Sequence, residues 1–315
     1  MNYLINKIKI IFFGTADFAL PSLQALVNDE LFKIILVVTQ SDKPSGRKQL
    51  LTVSPVKLLA KNFDLPISQP QKISEITFDL KKLNPDLIIV VAYAQILPEI
   101  ILNLPKYGCL NVHGSLLPKY RGASPIQTAL LNNDKQTGTT IIKMDKGLDT
   151  GAILAQSPLP ILVNDNAGSL HDKLAKLSSQ LLIPTIKKYL DGKIKPRPQD
   201  NNLASYAPKL KKSDGLINWN KTASENESFI RAMSPWPSAW TWWKGKQIKI
   251  VSVQHLPLEI NSYKPGKIFI YNSGLVIQCG KDALIIKKLQ LEGKKELSSE
   301  EFLRGQRDFI GTILT

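Results

Sequence analysis

Apolar runs alternate with amphipathic stretches through the first half of the chain. Continuous apolar runs, typical of buried parallel strands, occupy residues 9–13, 32–39, 86–92 and 109–113. Helical periodicity over residues 18–28 and 55–62 predicts helices between them, the second with Ser54 as N-cap and Pro55 at its first position. Because strands that alternate with helices form parallel sheets, the pattern predicts a doubly wound, Rossmann-like, mostly parallel α/β sheet.

The pattern changes after residue 139. Residues 139–144 and 153–159 predict paired strands, and residues 171–189 predict an amphipathic helix that closes a domain covering residues 1–190. Residues 191–206 are rich in proline and basic side chains, which predicts a basic linker and not a core element.

Residues 207–315 have the pattern of a small all-β domain. A short helix is predicted at residues 224–233, and strand-like runs follow at residues 246–254, 266–271, 274–279 and 283–289. Regularly spaced short strands of this kind indicate a small β-barrel similar to an OB-fold. We expect a fragment that ends near Tyr206 to fold without this domain.

The charge of the chain points to a polyanionic partner. Among 315 residues, 41 are basic and 26 acidic, a formal net charge of +15. Such an excess favours nucleic acid, although a generally basic proteome would give the same number. The longest apolar run, residues 87–97, is about half the length that crosses a bilayer, so we expect a soluble, cytoplasmic protein. Cys109 and Cys279 are predicted to be buried free thiols.

Candidate chemistry follows the strand at residues 109–113. Asn111 and His113 alternate along it, so both side chains project from one face, where an amide and an imidazole can donate to an oxyanion. Asp149 lies in a glycine-rich loop, from which a carboxylate can orient an imidazole or accept a proton. Arg121 follows in a polar segment where an anionic ligand could bind. A core histidine and a turn aspartate remain the alternative explanations.

At these residues the chain resembles the folate-dependent formyltransferases. The segments that carry the resemblance are residues 13–18, 40–47, 111–118, 121–126, 138–151 and 235–240. Their combined spacing is specific, and the likeness runs from about Lys9 to the end of the chain. Small departures are Gly46-Arg-Lys-Gln in the second segment and Ser124 where alanine is usual.

The resemblance implies formyl transfer from 10-formyltetrahydrofolate, as co-substrate, to the α-amine of methionyl initiator tRNA in translation initiation, with no metal. Asn111 and His113 would stabilise the oxyanion, and Asp149 would hold His113 and pass the proton. Residues implied to line the folate pocket are Ser115, Leu116, Leu117, Pro118, Val90, Ala92, Ile96 and Leu97.

The tRNA would contact basic residues in two places. Those implied are Lys43, Arg47, Lys48, Lys209 and Lys211. The first three belong to a polar loop, residues 40–53, which we expect to lack regular structure and to emerge on the same sheet edge as Asn111. Tryptophans 236, 240, 242 and 243 could stack on bases, although packing in the barrel is the simpler use. His171 and His255 are expected to be structural, and the protein to be a monomer.

Two other functions remain open at this stage. A formyltransferase of the same fold could act on a small amine, such as a sugar nucleotide or glycinamide ribonucleotide, and would need neither the basic linker nor the charged second domain. A catalytically silent RNA-binding protein could also keep the fold, although the intact site residues argue against it. An assay of formyl transfer to charged initiator tRNA separates the three.

Overall fold

The computed structural model describes residues 7–45, 50–257 and 263–315. Its helices are α1 (Leu20–Val27), α2 (Pro55–Asn62), α3 (Thr77–Leu83), α4 (Glu99–Leu102), α5 (Pro125–Leu131), α6 (Ala167–Leu190), α7 (Ala223–Met233) and α8 (Ser299–Gly305). Its strands are β1 (Ile8–Gly14), β2 (Phe32–Val38), β3 (Lys43–Ser45), β4 (Leu50–Thr52), β5 (Ile67–Ser68), β6 (Leu87–Val91), β7 (Cys109–His113), β8 (Arg121–Gly122), β9 (Gln136–Lys143), β10 (Ala152–Pro160), β11 (Tyr206–Ala207), β12 (Trp240–Trp243), β13 (Lys246–Leu256), β14 (Ile268–Tyr271), β15 (Gly274–Gln278), β16 (Ala283–Leu291) and β17 (Leu297–Ser298).

Local signals in the sequence place several elements to the residue. Helix α2 begins at Pro55, and the Ser54 hydroxyl caps it by accepting a hydrogen bond from the Lys57 backbone N–H at 3.1 Å. Strand β7 spans the apolar run predicted for it. These elements are predicted correctly because the residues that specify each one lie within it or directly beside it.

The first sheet has the order β10-β9-β7-β6-β1-β2-β5. Strands from β7 to β5 pair in parallel, whereas β9 and β10 add an antiparallel edge, which confirms the Rossmann-like, mostly parallel prediction. The chain runs outward from β1 to β2 and β5 and then returns to β6 on the other side of β1. Ligands of such sheets bind where the strand order reverses, beyond the carboxyl ends of the strands.

The middle of this sheet is largely buried. Every residue of β6 is buried, and Ile11, Phe13 and Tyr93 pack in one apolar cluster with it. Strands covered on both sides carry continuous apolar runs because neither face meets water. The site described below therefore stands on a rigid platform.

The loop at residues 40–53 is not structureless. Its described residues form an antiparallel hairpin of β3 and β4, in which Lys43 pairs with Thr52 and Pro44 with Leu51. Asp42, at its base, accepts hydrogen bonds from Lys57 at 2.7 Å and from Gln69 at 2.8 Å. The sequence did not predict the hairpin because β3 and β4 are three residues long each and carry no alternating apolar pattern.

The second sheet is antiparallel and curled, with the order β12-β13-β16-β15-β14 and with β17 paired to β16. Residues at the end of the chain bind both of its edge strands: Trp242 N–H donates to Thr315 O at 2.8 Å, and Ile268 N–H donates to Thr312 O at 2.9 Å. These hydrogen bonds cover part of each edge strand, which protects the edges of a curled sheet. The OB-like prediction is confirmed at the level of a curled half-barrel, while β12 was missed because its tryptophan-rich run is short.

The chain divides into two compact units that do not follow chain order. Unit 1 comprises Met1–Gly122, Gln136–Pro160 and His171–Ala207, and unit 2 comprises Ala123–Lys135, Ile161–Leu170 and Pro208–Thr315. Within unit 2, helix α5 packs on α7, which lies after Ala207. A cut near Tyr206 would keep almost all of unit 1 but remove α7, on which α5 packs, so the independent folding of the fragment stays a prediction.

Among the residues described, no helix is long and apolar enough to cross a membrane.

Candidate active site

Asn111 and His113 lie at the carboxyl end of β7, where the sheet opens. Val90 of β6 pairs with Asn111 on one side, and Thr140 of β9 pairs with His113 on the other. Asn111 is half-buried, and His113 is 6% exposed. Two neighbouring strands thus fix the backbone on which both side chains are carried.

The Asp149 carboxylate joins these two residues. Its Oδ1 accepts a hydrogen bond from Asn111 Nδ2 at 3.2 Å, and its Oδ2 lies 3.6 Å from His113 Nδ1. Oδ2 also accepts from the Gly122 backbone N–H at 2.8 Å. The structure therefore brings the three predicted catalytic residues into one constellation.

Asp149 adopts a backbone conformation that non-glycine residues rarely use. Its φ is +53°, in the left-handed region, which costs on the order of 1 kcal/mol for an L-residue. Such strain persists where surrounding contacts over-determine it, and it concentrates at functional sites. Here the conformation turns the carboxylate towards Asn111, His113 and Gly122.

Both ring nitrogens of His113 face protein oxygens. Nε2 lies 2.9 Å from the Tyr120 carbonyl oxygen, which can only accept a hydrogen bond, so this nitrogen carries the proton. Nδ1, at 3.6 Å from Asp149, is beyond hydrogen-bond distance and presents its lone pair in the neutral ring. His113 can thus accept a proton at Nδ1, and the carboxylate beside it stabilises the imidazolium that results.

Arg121 serves a different purpose from the one expected. Its side chain is 3% exposed and donates through Nε and Nη2 to Gln199 Oε1, at 3.1 and 2.8 Å, and through Nη2 to Asn201 Oδ1 at 2.8 Å. The expectation that Arg121 faces an anionic ligand is therefore wrong. The sequence could not show this because both partners lie about eighty positions away.

Gly122 belongs to the site through its backbone alone. Its φ is +115°, and a Cβ added there would come within 2.6 Å of the Ala207 carbonyl oxygen. Glycine is thus required both by the backbone conformation and by the parallel pairing of Gly122 with Ala207. The sequence gives no sign that Gly122 binds Asp149, since every residue except proline has a backbone N–H.

The residues implied for the folate pocket fall into two groups. Val90, in β6, and Leu97, in the segment that follows it, are buried in the core cluster, whereas Ala92 and Ile96 of that segment are exposed. Ala92 and Ala94 both have positive φ, of 48° and 65°. This segment therefore presents its backbone and one large apolar side chain outwards.

The second group, residues 115–118, is largely engaged within the protein. Ser115 is fully buried, and its hydroxyl donates to the Lys119 carbonyl at 2.6 Å. Leu117 packs with Ile142 and Ile153, while Leu116 and Pro118 are half-buried. Leu116 and Pro118 are thus the members that keep surface for a ligand.

Gln40 connects the hairpin with the segment after β6. Its Nε2 donates to the carbonyls of Tyr93 at 2.9 Å and Ala94 at 3.3 Å, and its Oε1 accepts from Lys43 Nζ at 2.8 Å. Gln40 is the first residue of the segment 40–47 that carries the family resemblance, and no pattern in the sequence indicates these contacts. The Gln40 amide therefore links Lys43, a predicted tRNA contact, to the backbone of the segment predicted to line the folate pocket.

The remaining predicted residues lie at separate places. Lys43, Lys209 and Lys211 are exposed, whereas Arg47 and Lys48 fall outside the described residues. Trp243 is buried, Trp240 is half-buried, and Trp236 and Trp242 are exposed. The tryptophan cluster thus divides between barrel packing and free surface.

The other histidines and the cysteines are used in structure. His171 bridges Asp17 at 3.1 Å and Asp172 at 3.0 Å, and His255 lies 3.2 Å from Asp282. Both cysteines are free and buried, as predicted, and burial raises the pKa of each thiol to about 12. No group of three metal-ligating His, Cys, Asp or Glu side chains occurs within the described ranges.

Comparisons with known proteins identify the family of the chain. The formyl transferase family matches residues 6–186, and the formyl transferase C-terminal domain matches residues 209–307. Methionyl-tRNA formyltransferase of Geobacter sulfurreducens is 42% identical over 98% of this chain and 96% of its own length. The enzyme of the same name from Thermodesulfovibrio yellowstonii is 46% identical over 95% of this chain and 96% of its own.

A solved structure shows the same architecture. WlaRD, a sugar 3N-formyl transferase crystallised in the presence of dTDP and 5-N-formyl-THF, superposes with a TM-score of 0.66 at 25% identity and covers 92% of this chain and 100% of its own. Two matching domains, full-length relatives and a constellation built on Asp149 lead to one assignment. The chain belongs to the formyl transferase family.

Proposed function

We propose that this chain transfers the formyl group of 10-formyltetrahydrofolate to the α-amine of methionyl initiator tRNA. The observation that carries the proposal is the Asp149 carboxylate, which gathers Asn111 and His113 at the open end of the sheet. The relatives named methionyl-tRNA formyltransferase, similar over almost their whole length, support this choice of acceptor.

The chemistry begins with attack of the amine nitrogen on the formyl carbon. A C–N bond forms and the carbonyl electron pair moves to oxygen, where Asn111 can donate its second amide hydrogen, the first being held by Asp149. The proton that the amine loses passes to His113 Nδ1, whose positive imidazolium then stabilises the oxyanion, or it passes to Asp149. When the carbonyl reforms, the bond to N10 of the folate breaks, and N10 takes that proton to release tetrahydrofolate.

The folate side of the site is formed by the segment after β6 and by residues 115–118. A flat, polar-edged ring needs exposed backbone groups and apolar surface, which Ala92, Ala94 and Ile96 present. The Gln40 amide fixes that backbone through the Tyr93 and Ala94 carbonyls. Val90 and Leu97 support the wall from the core, so their role is packing.

The tRNA side is formed by positive charge in two segments of the sequence. Residues 207–315 carry 17 basic and 10 acidic side chains, and Lys209 and Lys211 are exposed near their start. In the hairpin region, Lys43 with Arg47 and Lys48 would contact the acceptor end, and Arg47 can clamp phosphate with its planar fork. A cytoplasmic monomer completes the proposal, with the last boundary between the two units after Ala207, since residues 171–207 belong to unit 1.

The test is an acceptor assay with the full-length chain. Purified protein is incubated with 10-formyltetrahydrofolate and either charged initiator methionyl-tRNA or a deoxythymidine diphosphate amino sugar. We expect formyl transfer to the tRNA and none to the sugar. Transfer to the sugar alone would establish the small-amine function instead, and transfer to neither would support the silent RNA-binding alternative.

A further inference from the structure

Residues 199–207 lie in unit 1 and hold the loops on which the catalytic constellation depends. Sequence patterning assigns residues 191–206 to a linker, yet β11 pairs in parallel with β8, the strand that contains Gly122. The Ser205 carbonyl accepts from Arg121 N–H at 2.8 Å, and its hydroxyl accepts from Tyr120 N–H at 3.0 Å. This segment is thus part of the wall of the site.

Gln199 contacts the loop of Asp149 and also Arg121, the neighbour of Gly122. Its Nε2 donates to the carbonyl oxygens of Asp149, at 2.8 Å, and Gly151, at 2.7 Å. Its Oε1 accepts two hydrogen bonds from the buried guanidinium of Arg121. One amide therefore uses both its donor and its acceptor to join residues 149–151 to residues 121–122.

Asn111 and His113 of β7 contact the Asp149 carboxylate from one strand. Among the described contacts, those from outside β7 all come from the segments that Gln199 joins, residues 149–151 and 121–122. Asp149 supplies the oxygens, and Gly122, which follows Arg121, donates to one of them. The left-handed backbone of Asp149 has a free-energy cost, and the bond from Gln199 to its carbonyl offsets that cost. Without Gln199, residue 149 can relax, and the carboxylate loses its alignment with Asn111 and His113.

We infer that Gln199 is a positioning residue for formyl transfer, acting through Asp149. It touches none of the catalytic side chains and none of the surfaces assigned to folate or tRNA, so its effect falls on turnover and not on substrate binding. The inference rests on the proposed function, because turnover is measured with the acceptor proposed above. A misplacement of about 1 Å in a catalytic group can lower a rate roughly 100-fold.

Two substitutions separate the hydrogen-bonding role from the volume of the side chain. Gln199→Leu removes the donors and the acceptor together. Gln199→Glu keeps the shape and the bond to Arg121 but places an oxygen without hydrogen against the Asp149 and Gly151 carbonyls. Asn202→Ala is the matched control, since Asn202 is exposed in the same segment and its side chain lies outside this network.

Steady-state kinetics of the full-length variants give the first measurement. We expect both Gln199 variants to lower kcat roughly 10- to 100-fold, with KM for methionyl-tRNA and for the folate within about threefold and a melting temperature close to wild type. Asn202→Ala should match wild type in all three. Wild-type kcat in either Gln199 variant, or an equal loss in Asn202→Ala, would overturn the inference.

A double-mutant cycle with Asp149→Asn tests the route of the effect. If Gln199 acts only through the carboxylate, Gln199→Leu should cost little further activity once Asp149 is replaced, because residues that act as a unit are not additive. Additive losses would mean that Gln199 supports the fold generally, which contradicts the inference. An inactive wild type would instead refute the proposed function, so the two failures are distinguishable.

Discussion

The two units of the chain differ in what their buried side chains do: those around Asp149 in unit 1 form hydrogen bonds, whereas those in unit 2 form an aromatic cluster. In unit 1, polar groups from distant parts of the sequence converge on Asp149, with Asn111 and Gly122 both donating to its carboxylate. In unit 2, the rings of Trp243, Phe302 and Phe309 pack edge to face, with ring centroids 5.0 to 6.1 Å apart. Orientation matters most in the first region and filled volume in the second, so substitutions there should affect different observables.

The largest expected effect is on the stability of unit 2. Phe309→Ala removes a fully buried ring and should lower the free energy of unfolding by about 3–5 kcal/mol. Urea unfolding followed by tryptophan fluorescence measures it. Ile310→Ala, at the exposed neighbouring position, should change stability by no more than about 0.5 kcal/mol. Equal effects at both positions would show that the aromatic cluster is not the core of this unit.

The next effect is on turnover in unit 1. His113→Ala should lower kcat by about 100-fold or more, the scale of losing a group that stabilises an oxyanion, and Asn111→Ala and Asp149→Ala should do likewise. Folate binding should stay near wild type, and circular dichroism should show a folded protein, which separates the loss of turnover from the stability lost with the buried His113 ring. His171→Ala is the control, since His171 bridges exposed carboxylates. Near-normal turnover in His113→Ala would contradict the mechanism.

A smaller effect is expected on tRNA binding from two lysines at the start of the last segment of unit 2, Pro208–Thr315. Replacing Lys209 and Lys211 together by alanine should flatten the log–log salt dependence of tRNA binding by about one unit for each lost phosphate contact. Filter binding at several salt concentrations measures the slope. Replacing Lys81 and Lys82, an exposed pair on α3, removes the same charge and should leave the slope unchanged. If both pairs behave alike, only net charge attracts the RNA.

The smallest expected effect is on the pH dependence of stability at the N-terminus of α7, in unit 2. Hydrogen bonds from the Thr222 hydroxyl and backbone N–H hold the pKa of Glu225 below its ordinary value. Glu225 therefore stabilises the fold above its unfolded pKa, and this stabilisation is lost as pH falls through the lowered folded pKa. The melting-temperature difference between wild type and Glu225→Gln should thus be present at neutral pH and shrink in acid. Glu30→Gln, in an exposed turn, is the control, and a difference independent of pH would refute the account.

Local patterns in the sequence were sufficient for the framework. Ser54 and Pro55 specify the start of α2 because capping involves atoms within three residues. Alternation along residues 109–113 placed Asn111 and His113 on one face, and the glycine-rich loop pointed to Asp149. That these three meet was an inference from sheet topology and family resemblance, and the structure places them in contact. Their catalytic roles stay predictions.

The tertiary structure alone decided what surrounds that framework. Gln199 donates a hydrogen bond to the Asp149 carbonyl, 50 positions away in the sequence. Helix α5 packs on α7 and belongs to unit 2, although the residues before and after it in the sequence belong to unit 1. Arg121 is buried by partners in a stretch whose composition indicates only a linker. Hydrogen bonds between distant polar residues leave no periodicity in a sequence, because any amide or backbone N–H could make them. Periodicity reports which face is buried, whereas the partner of each polar group depends on how the segments pack.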